Sequence, residues 1–316
     1  MNPLLNFGIP LGFGFMNASW VGSPVLDDAN ARAEFIQVLV GAMEAGVRLF
    51  DTSDIYAPSW DSMGHNEVLL REAVAAWQGT PEEKAQLILA TKGGISRGPG
   101  EIWGRNANYE YLSTRVEASL QNLGVVEIPL WQHHRLDYHL TLAEQLANLA
   151  KLQKNAPIRH FGVSNYSADQ LLQALDVLGG PGDGGLVSVQ NQLNPIYRQQ
   201  LDVIEVCESH GLAFLPWSPM KGVRPSDAGT PAYELFAGVA KKLGVSTFAV
   251  AQAWLRSLSP NIIPLPGVTK VQSVADAIGA VRLILGQDEL SELLKLPESL
   301  PLDAELISDQ PKAVID

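Results

Sequence analysis

Short apolar runs alternate with longer stretches of helical spacing along most of this 316-residue chain. Between the runs, apolar side chains recur three or four positions apart, as at Leu112, Val116 and Leu120, which places them on one face of a helix. This alternation is typical of βα units. The strands are predicted at residues 9–14, 47–50, 86–92, 128–134, 159–164, 186–190, 213–218 and 262–267.

The intervening stretches predict amphipathic helices with recognisable ends. The clearest helices are predicted at residues 31–45, 109–123, 140–152 and 201–210, with a further pair inside 231–258. Gly124 and Gly211 come where helices must end, and Ser246 is placed to cap the second helix of the pair. Eight parallel strands with helices between them close into a (β/α)8 TIM barrel, an α/β fold. We expect one domain over residues 1–316, with extra loops over the C-terminal face and an irregular tail at 295–316.

Composition and charge exclude several classes of protein. The formal net charge is −12, which disfavours nucleic acid and anionic membranes as partners. No apolar run is long enough to span a bilayer, and no basic, apolar leader follows Met1, so a cytoplasmic protein is expected. Cys207 is the only cysteine, so an internal disulfide is excluded, and we expect a packed thiol.

Polar residues occur where the predicted strands end. The sequence LFDTSDIY places Asp51 at the end of the second strand and Tyr56 in the loop beyond it. Lys92 ends the third strand and His134 the fourth. Taken singly, a strand-end Asp often caps a helix and a strand-end Lys is often solvated. Because the carboxyl ends of barrel strands meet at one face, the four together predict an active site there.

The residues around these positions resemble the aldo-keto reductase family over nearly the whole chain. The matching sequences are GVRLFDTSDIY, NEVLLREA, ILATKGG, WQHHRLD, RHFGVSNYSADQL, VSVQNQLNP, WSPMKG and IIPLPGV. The resemblance implies a catalytic tetrad of Asp51, Tyr56, Lys92 and His134. His134 is preferred to His133 because the histidine of the family directly precedes the arginine in the pattern HRLD. His133 is then expected to pack in the interior.

The chemistry of these side chains agrees with what the resemblance implies, an NAD(P)(H)-dependent reduction of an aldehyde or ketone, or the reverse. Hydride addition to a carbonyl leaves negative charge on oxygen, which must be stabilised and then protonated. Tyr56 is the expected proton donor, and Lys92 is expected to lower its pKa. Asp51 would anchor the ammonium, and His134 would donate a second hydrogen bond to the carbonyl.

The resemblance also implies a nicotinamide dinucleotide site. The residues assigned to the carboxamide are Ser164, Asn165 and Gln190, and Trp217 would stack on the nicotinamide ring. The residues assigned to the phosphates and the adenosine are Ser218, Met220, Lys221, Gly267, Thr269, Lys270, Ser273 and Asp276. NADP(H) is the default of the family, but Ser273 stands where an arginine often grips the 2′-phosphate, so NAD(H) is a serious alternative. No metal is expected.

The sequence says less about the substrate. Trp20, Trp60 and Trp103 are expected at the rim of the pocket, which favours aldehydes with an apolar or flat body. A sugar or pyridoxal-type dehydrogenase that works in the oxidative direction is an alternative. Two other classes stay open: a non-catalytic nicotinamide-binding regulatory protein with this fold, and a lyase that forms a Schiff base on Lys92. The expected partner is a small carbonyl or alcohol, and a monomer is the simplest expectation.

Overall fold

The strands agree with a barrel of βα units. In the computed structural model, which describes residues 2–6 and 8–300, they are β1 (Gly12–Gly14), β2 (Leu49–Asp51), β3 (Ile88–Gly93), β4 (Ile95–Gly98), β5 (Ile102–Arg105), β6 (Leu130–His133), β7 (Phe161–Ser164), β8 (Leu186–Gln190) and β9 (Ala213–Phe214). Seven of them pair in parallel in the order β1-β2-β3-β6-β7-β8-β9. Strands β4 and β5 form a separate antiparallel pair.

The eighth predicted strand, at 262–267, is not a regular strand. It still joins the two edges of the sheet, since Gly12 N–H donates to Pro264 O at 3.0 Å on one side and Ile263 N–H donates to Phe214 O at 3.0 Å on the other. The two prolines in this segment have no N–H to donate, so a continuous ladder cannot form. The expectation of a regular strand was therefore wrong. The barrel closes through isolated backbone hydrogen bonds to β1 and β9 instead of a continuous ladder.

The helices surround the sheet and largely match their predicted positions. They are α1 (Pro24–Asp27), α2 (Ala29–Glu44), α3 (His65–Ala76), α4 (Pro81–Ala85), α5 (Tyr109–Leu123), α6 (Leu142–Asn155), α7 (Ala168–Leu178), α8 (Leu201–His210), α9 (Pro231–Leu243), α10 (Thr247–Leu258), α11 (Val271–Ala280) and α12 (Gln287–Leu293). Gly124 and Gly211 end α5 and α8 in the left-handed conformation, and the Ser246 side chain caps α10. No helix within the described residues is both long and apolar enough to cross a membrane.

The barrel interior is built in layers, which explains the position of the polar residues. An apolar layer at one end includes Leu49 of β2, Ala90 of β3 and Leu130 of β6. Side chains alternate between the two faces of a strand, so the residue two positions further along points into the barrel as well. Those residues are Asp51, Lys92 and Gln132, and all are buried. The strands therefore carry an apolar layer and, towards their carboxyl ends, a polar one.

Three further features bear on the predictions. Strands β4 and β5 form a hairpin whose turn includes Gly100 and Glu101, both with positive φ, in a segment predicted as a glycine-rich loop. Cys207 is fully buried, as expected, and burial raises the pKa of its thiol to about 12. Within the predicted tail, Ser299 accepts a hydrogen bond from Arg198 N–H at 2.8 Å. Residues 301–316 of that tail lie outside the described residues.

Candidate active site

A buried ion pair forms the base of the site. Lys92 Nζ donates to Asp51 Oδ2 at 2.6 Å and to Thr52 O at 2.8 Å, and Gln190 Nε2 donates to Asp51 Oδ1 at 2.8 Å. Burial acts to lower the pKa of Lys92, but Asp51 and Tyr56 outweigh it and raise that pKa above its ordinary value. Lys92 is therefore an ammonium ion, which disfavours the Schiff-base alternative, because that chemistry needs a free amine.

Tyr56 lies beside this pair. Its ring centroid is 5.1 Å from Lys92 Nζ and 6.0 Å from the centroid of the His134 ring, which it meets edge to face. Burial raises the pKa of Tyr56, Lys92 opposes that rise and Asp51 adds to it. Lys92 thus acts on this pKa in the predicted direction, but burial has the larger effect. The hydroxyl is protonated at neutral pH, as a proton donor must be.

His134 follows β6 directly, and its backbone N–H donates to Gly93 O at 2.8 Å. Burial, assisted by Lys92 and Arg135, holds the pKa of its ring well below the usual range, so the imidazole is neutral. Ring atom Nδ1 is 3.2 Å from Ser53 Oγ. If the Ser53 hydroxyl donates to Nδ1, the ring proton is on Nε2, which can then donate to a substrate.

His133 differs from its neighbour, as expected for adjacent residues of a strand. Its ring is fully buried, and its Nδ1 is 2.8 Å from the hydroxyl oxygen of Tyr166. Burial lowers the pKa of His133 to about 4. His133 does not line the cleft described below, whereas His134 does.

A second buried charge cluster lies next to the first, and sequence reasoning missed it. Asp54 is fully buried and accepts from Arg115 Nε at 2.8 Å, and its Oδ1 lies 3.2 Å from Ser53 Oγ. Burial raises the pKa of Asp54 to about 7, with Arg115 opposing the rise and Glu67 reinforcing it. Glu67 is also buried and accepts from Thr91 Oγ1 at 2.6 Å. Asp54, the second acidic residue of LFDTSDIY, was the feature of the sequence that could have indicated this cluster.

An elongated cleft of about 940 Å³ opens above the polar layer. It is lined by most of the residues predicted for the site, namely Asp51, Tyr56, His134, Ser164, Asn165, Gln190, Trp217, Ser218, Met220, Gly267, Thr269, Ser273, Asp276, Trp20 and Trp103. Lys92 lies fully buried behind Asp51. The cleft thus joins the candidate catalytic residues to the loops that follow β9 and segment 262–267.

Besides Lys92, three predicted residues do not line the cleft. Trp60 is 39% exposed, and its backbone N–H donates to Glu101 Oε1 at 2.8 Å. Lys221 Nζ lies 4.6 Å from the centroid of the Tyr197 ring, and Lys270 is exposed outside the lining. Sequence reasoning missed other lining residues, among them Arg135, Arg224, Gln252 and Gln272. The signals for the two arginines were HRLD and the basic residue two positions after WSPMKG.

The middle of the cleft fits a nicotinamide dinucleotide. Asn165 and Ser218 have positive φ values of 63° and 50°, a conformation that is uncommon for non-glycine residues and that clusters at active sites and ligand-binding sites. Asn165 Nδ2 donates to His134 O at 3.2 Å, and Asn165 Oδ1 accepts from Trp217 Nε1 at 3.1 Å. The Asn165 amide and the Trp217 indole are thereby fixed next to His134. Amide groups and an aromatic face in one cleft match the carboxamide and the ring of nicotinamide.

The side chains that commonly bind metal ions do not form a cluster among the described residues. Within residues 2–6 and 8–300, no three His, Cys, Asp or Glu side chains come together in a way that could hold a metal ion.

The aldo/keto reductase family model matches residues 10–298. The chain is 32% identical over 284 residues to an uncharacterized oxidoreductase of Schizosaccharomyces pombe, covering 90% of this chain and 85% of the relative. It is 29% identical over 289 residues to pyridoxine 4-dehydrogenase of Escherichia coli, covering 90% and 93%. The crystal structure of an aldo/keto reductase from Klebsiella pneumoniae in complex with NADP and acetate has a TM-score of 0.72 at 20% identity, covering 96% of this chain and 99% of that one. The chain therefore belongs to the aldo/keto reductase family of TIM-barrel enzymes, which carry out NAD(P)-dependent oxidoreduction between carbonyls and alcohols.

Proposed function

We propose that this chain reduces an aldehyde or ketone to an alcohol with NADPH, with Tyr56 as the proton donor. The observation that carries the proposal is the meeting of Asp51, Tyr56, Lys92 and His134 at one end of the cleft. They come from the ends of three neighbouring strands, β2, β3 and β6, or from the loops beyond them, which is where barrel enzymes place catalytic groups.

The side chains divide the proton chemistry between them. The bound dinucleotide supplies the hydride that reduces the carbonyl carbon. Tyr56 gives its hydroxyl proton to the carbonyl oxygen, and His134 donates a hydrogen bond to the same oxygen from Nε2. The Lys92 ammonium, 5.1 Å from the Tyr56 ring, stabilises the phenolate that remains. Asp51 holds that ammonium in place through its 2.6 Å contact.

The dinucleotide would lie along the cleft from Trp217 to the loop at 267–277. Ser164, Asn165 and Gln190 would bind the carboxamide, with Trp217 under the ring. Because Gln190 Nε2 already donates to Asp51, its side-chain carbonyl is the group left for a carboxamide N–H. The residues proposed for the phosphates and the adenosine are Ser218, Met220, Gly267, Thr269, Ser273 and Asp276, all of which line the cleft.

The residues that would favour NADP(H) differ from those predicted from the sequence. Lys270 and Lys221 do not line the cleft, whereas Arg224, in the loop after β9, does. A guanidinium forms charge-assisted, bidentate bonds with phosphate. We therefore assign the 2′-phosphate contact to Arg224 instead of Lys270, and NAD(H) stays the alternative if that contact fails.

The test is 4-nitrobenzaldehyde-dependent oxidation of NADPH and, separately, of NADH by the purified protein. We expect turnover that prefers NADPH. Arg224→Gln should reduce this preference, while the matched change Lys270→Gln should leave it in place. Turnover with neither dinucleotide contradicts the reductase proposal, and a clear preference for NADH contradicts the assignment of NADP(H).

Oxidation of a flat heteroaromatic alcohol is a second candidate. The name of the Escherichia coli relative, pyridoxine 4-dehydrogenase, suggests this direction. Trp20 and Trp103, whose ring centroids are 6.4 Å apart, supply flat surfaces in the cleft. Oxidation requires Tyr56 as phenolate, and its pKa is raised, so we expect pyridoxine oxidation with NADP⁺ to accelerate as pH rises. A rate that falls with rising pH contradicts Tyr56 as the base.

A further inference from the structure

Arg135 is a cation in the cleft without an acidic partner. It directly follows His134, lines the cleft and is partly buried. Its guanidinium carbon is 6.0 Å from the centroid of the Trp217 ring. Among the described residues, no carboxylate forms an ion pair with it and no acceptor forms a hydrogen bond with its side chain. Other arginines do pair with carboxylates: Arg32 with Glu72, Arg97 with Glu101, Arg115 with Asp54 and Arg159 with Glu127.

The acid nearest to Arg135 in the sequence is committed elsewhere. Asp137 Oδ2 accepts from the backbone N–H of Ala107 at 3.0 Å, and its Oδ1 accepts from that of His139 at 2.9 Å. The groups that act on the Arg135 charge are burial and Arg105, which lower its pKa to about 10, against a smaller opposite effect of Tyr56 and Tyr138. The guanidinium is still charged at neutral pH, and an anion bound beside it would stabilise that charge.

The other wall of the substrate end is apolar and flat. Trp20 and Trp103 line the cleft with tilted rings. Arg97 contacts the Trp103 ring at 4.6 Å, but its guanidinium is bonded to Glu101 and to the Ala57 carbonyl, so it is not free for a ligand. At its catalytic end the cleft therefore combines flat apolar surfaces with the guanidinium of Arg135, which has no ion pair or hydrogen bond with the part of the chain that the structure describes.

We propose that Arg135 binds a carboxylate or phosphate group on the substrate, so that aldehydes with a flat body and a negative charge are preferred. A guanidinium presents a planar fork of donors that fits either oxyanion in a bidentate manner. The net charge of the chain is −12, so its overall electrostatic field does not attract an anionic substrate. The proposed selectivity is local, because it arises from the side chain of Arg135. The inference rests on the reductase function proposed above and specifies its substrate class.

The test compares aldehydes that share a ring and differ in charge. The value of kcat/KM is measured for 4-carboxybenzaldehyde, 4-formylphenyl phosphate and neutral 4-nitrobenzaldehyde, with whichever dinucleotide supports turnover. The ratio of the charged to the neutral value should fall about tenfold or more in Arg135→Gln, because one charge-assisted contact is lost. Arg135→Lys, which keeps the charge but not the fork, should retain part of the ratio.

Arg105→Gln is the matched control, because Arg105 is the neighbouring cation but donates to Leu136 O at 3.1 Å and packs on Tyr138. We expect this change to leave the ratio near the wild-type value. A larger fall for the carboxylate than for the phosphate arm identifies carboxylate as the group bound, and the reverse identifies phosphate.

The failures of the two proposals can be told apart. If Arg135→Gln turns over all three aldehydes with an unchanged ratio, the inference about Arg135 is overturned and the reductase function stands. If it instead raises KM for the dinucleotide at an unchanged ratio, Arg135 serves the cofactor and the inference is again overturned. If the wild-type protein turns over none of the aldehydes with either dinucleotide, the reductase function itself fails.

Discussion

The acids of two buried ion pairs lie at the end of strand β2, Asp51 as its last residue and Asp54 three residues later, and the two pairs differ in what they face. Asp51 contacts Lys92 at 2.6 Å, and Asp54 contacts Arg115 at 2.8 Å. The first pair lies in the barrel interior beneath Tyr56, at the end of the cleft. The second lies against helix α5, does not line the cleft and reaches His134 only through Ser53. A buried ion pair is thus no evidence of catalysis by itself. Whether it takes part in the chemistry depends on the groups that surround it.

The largest expected effect comes from removing the cation of the first pair. In Lys92→Met, the phenolate left on Tyr56 loses its nearest positive charge. We expect kcat for 4-nitrobenzaldehyde reduction to fall by about 10²–10³-fold, the usual cost of losing one electrostatic contact to the transition state. Steady-state kinetics at saturating dinucleotide measures this. A fall of less than about tenfold would mean that the two pairs do not differ in function.

Removing the cation of the second pair should instead affect stability. Arg115→Met leaves Asp54 buried without its partner, and we expect the free energy of unfolding to drop by about 3 kcal/mol. Urea denaturation followed by fluorescence measures the drop. The folded fraction should keep a kcat far closer to wild type than Lys92→Met does. Equal losses of kcat in both variants would contradict the distinction between the pairs.

A pH dependence of the free energy of unfolding also belongs to the second pair. The pKa of Asp54 is raised from 3.8 to about 7, so the folded protein holds this proton more tightly than the unfolded chain. The resulting stability is fully present below pH 3.8 and is lost as pH rises through about 7. We therefore expect the free energy of unfolding of the wild type to fall, relative to Asp54→Asn, between pH 4 and 7. A constant difference across this range would show that the Asp54 pKa is not raised.

The first pair could be predicted from the sequence because strand periodicity fixes its geometry. Leu49 and Asp51 point into the barrel from β2, and Ala90 and Lys92 do so from β3. Each acid or base at the end of such a strand is then expected at the mouth of the barrel. The second pair could not be predicted in this way, because the contact between Arg115 and Asp54 depends on how α5 packs against the barrel. In the sequence, Asp54 could not be distinguished from the other polar residues that follow β2.

Loop side chains were the least predictable part of the site. Lys221, Lys270 and Trp60 were assigned to it by their order in the chain, and none lines the cleft. A loop has no regular alternation of side-chain direction, unlike a strand. The position of a loop residue in the sequence therefore does not determine what its side chain contacts. Arg135 and Arg224 were missed for the same reason. The wrong strand prediction at 262–267 has a different cause. The apolar pattern of a strand is present there, but the two prolines lack the N–H that a ladder requires.

The central claim is that Tyr56 donates the proton, and Tyr56→Phe tests it most directly. The substitution removes only the hydroxyl, so the barrel and the cleft should stay intact. We predict that 4-nitrobenzaldehyde reduction falls by about 10²–10⁴-fold, while the affinity for the dinucleotide, measured by quenching of tryptophan fluorescence, changes little. Turnover at a rate near that of the wild type would contradict the account.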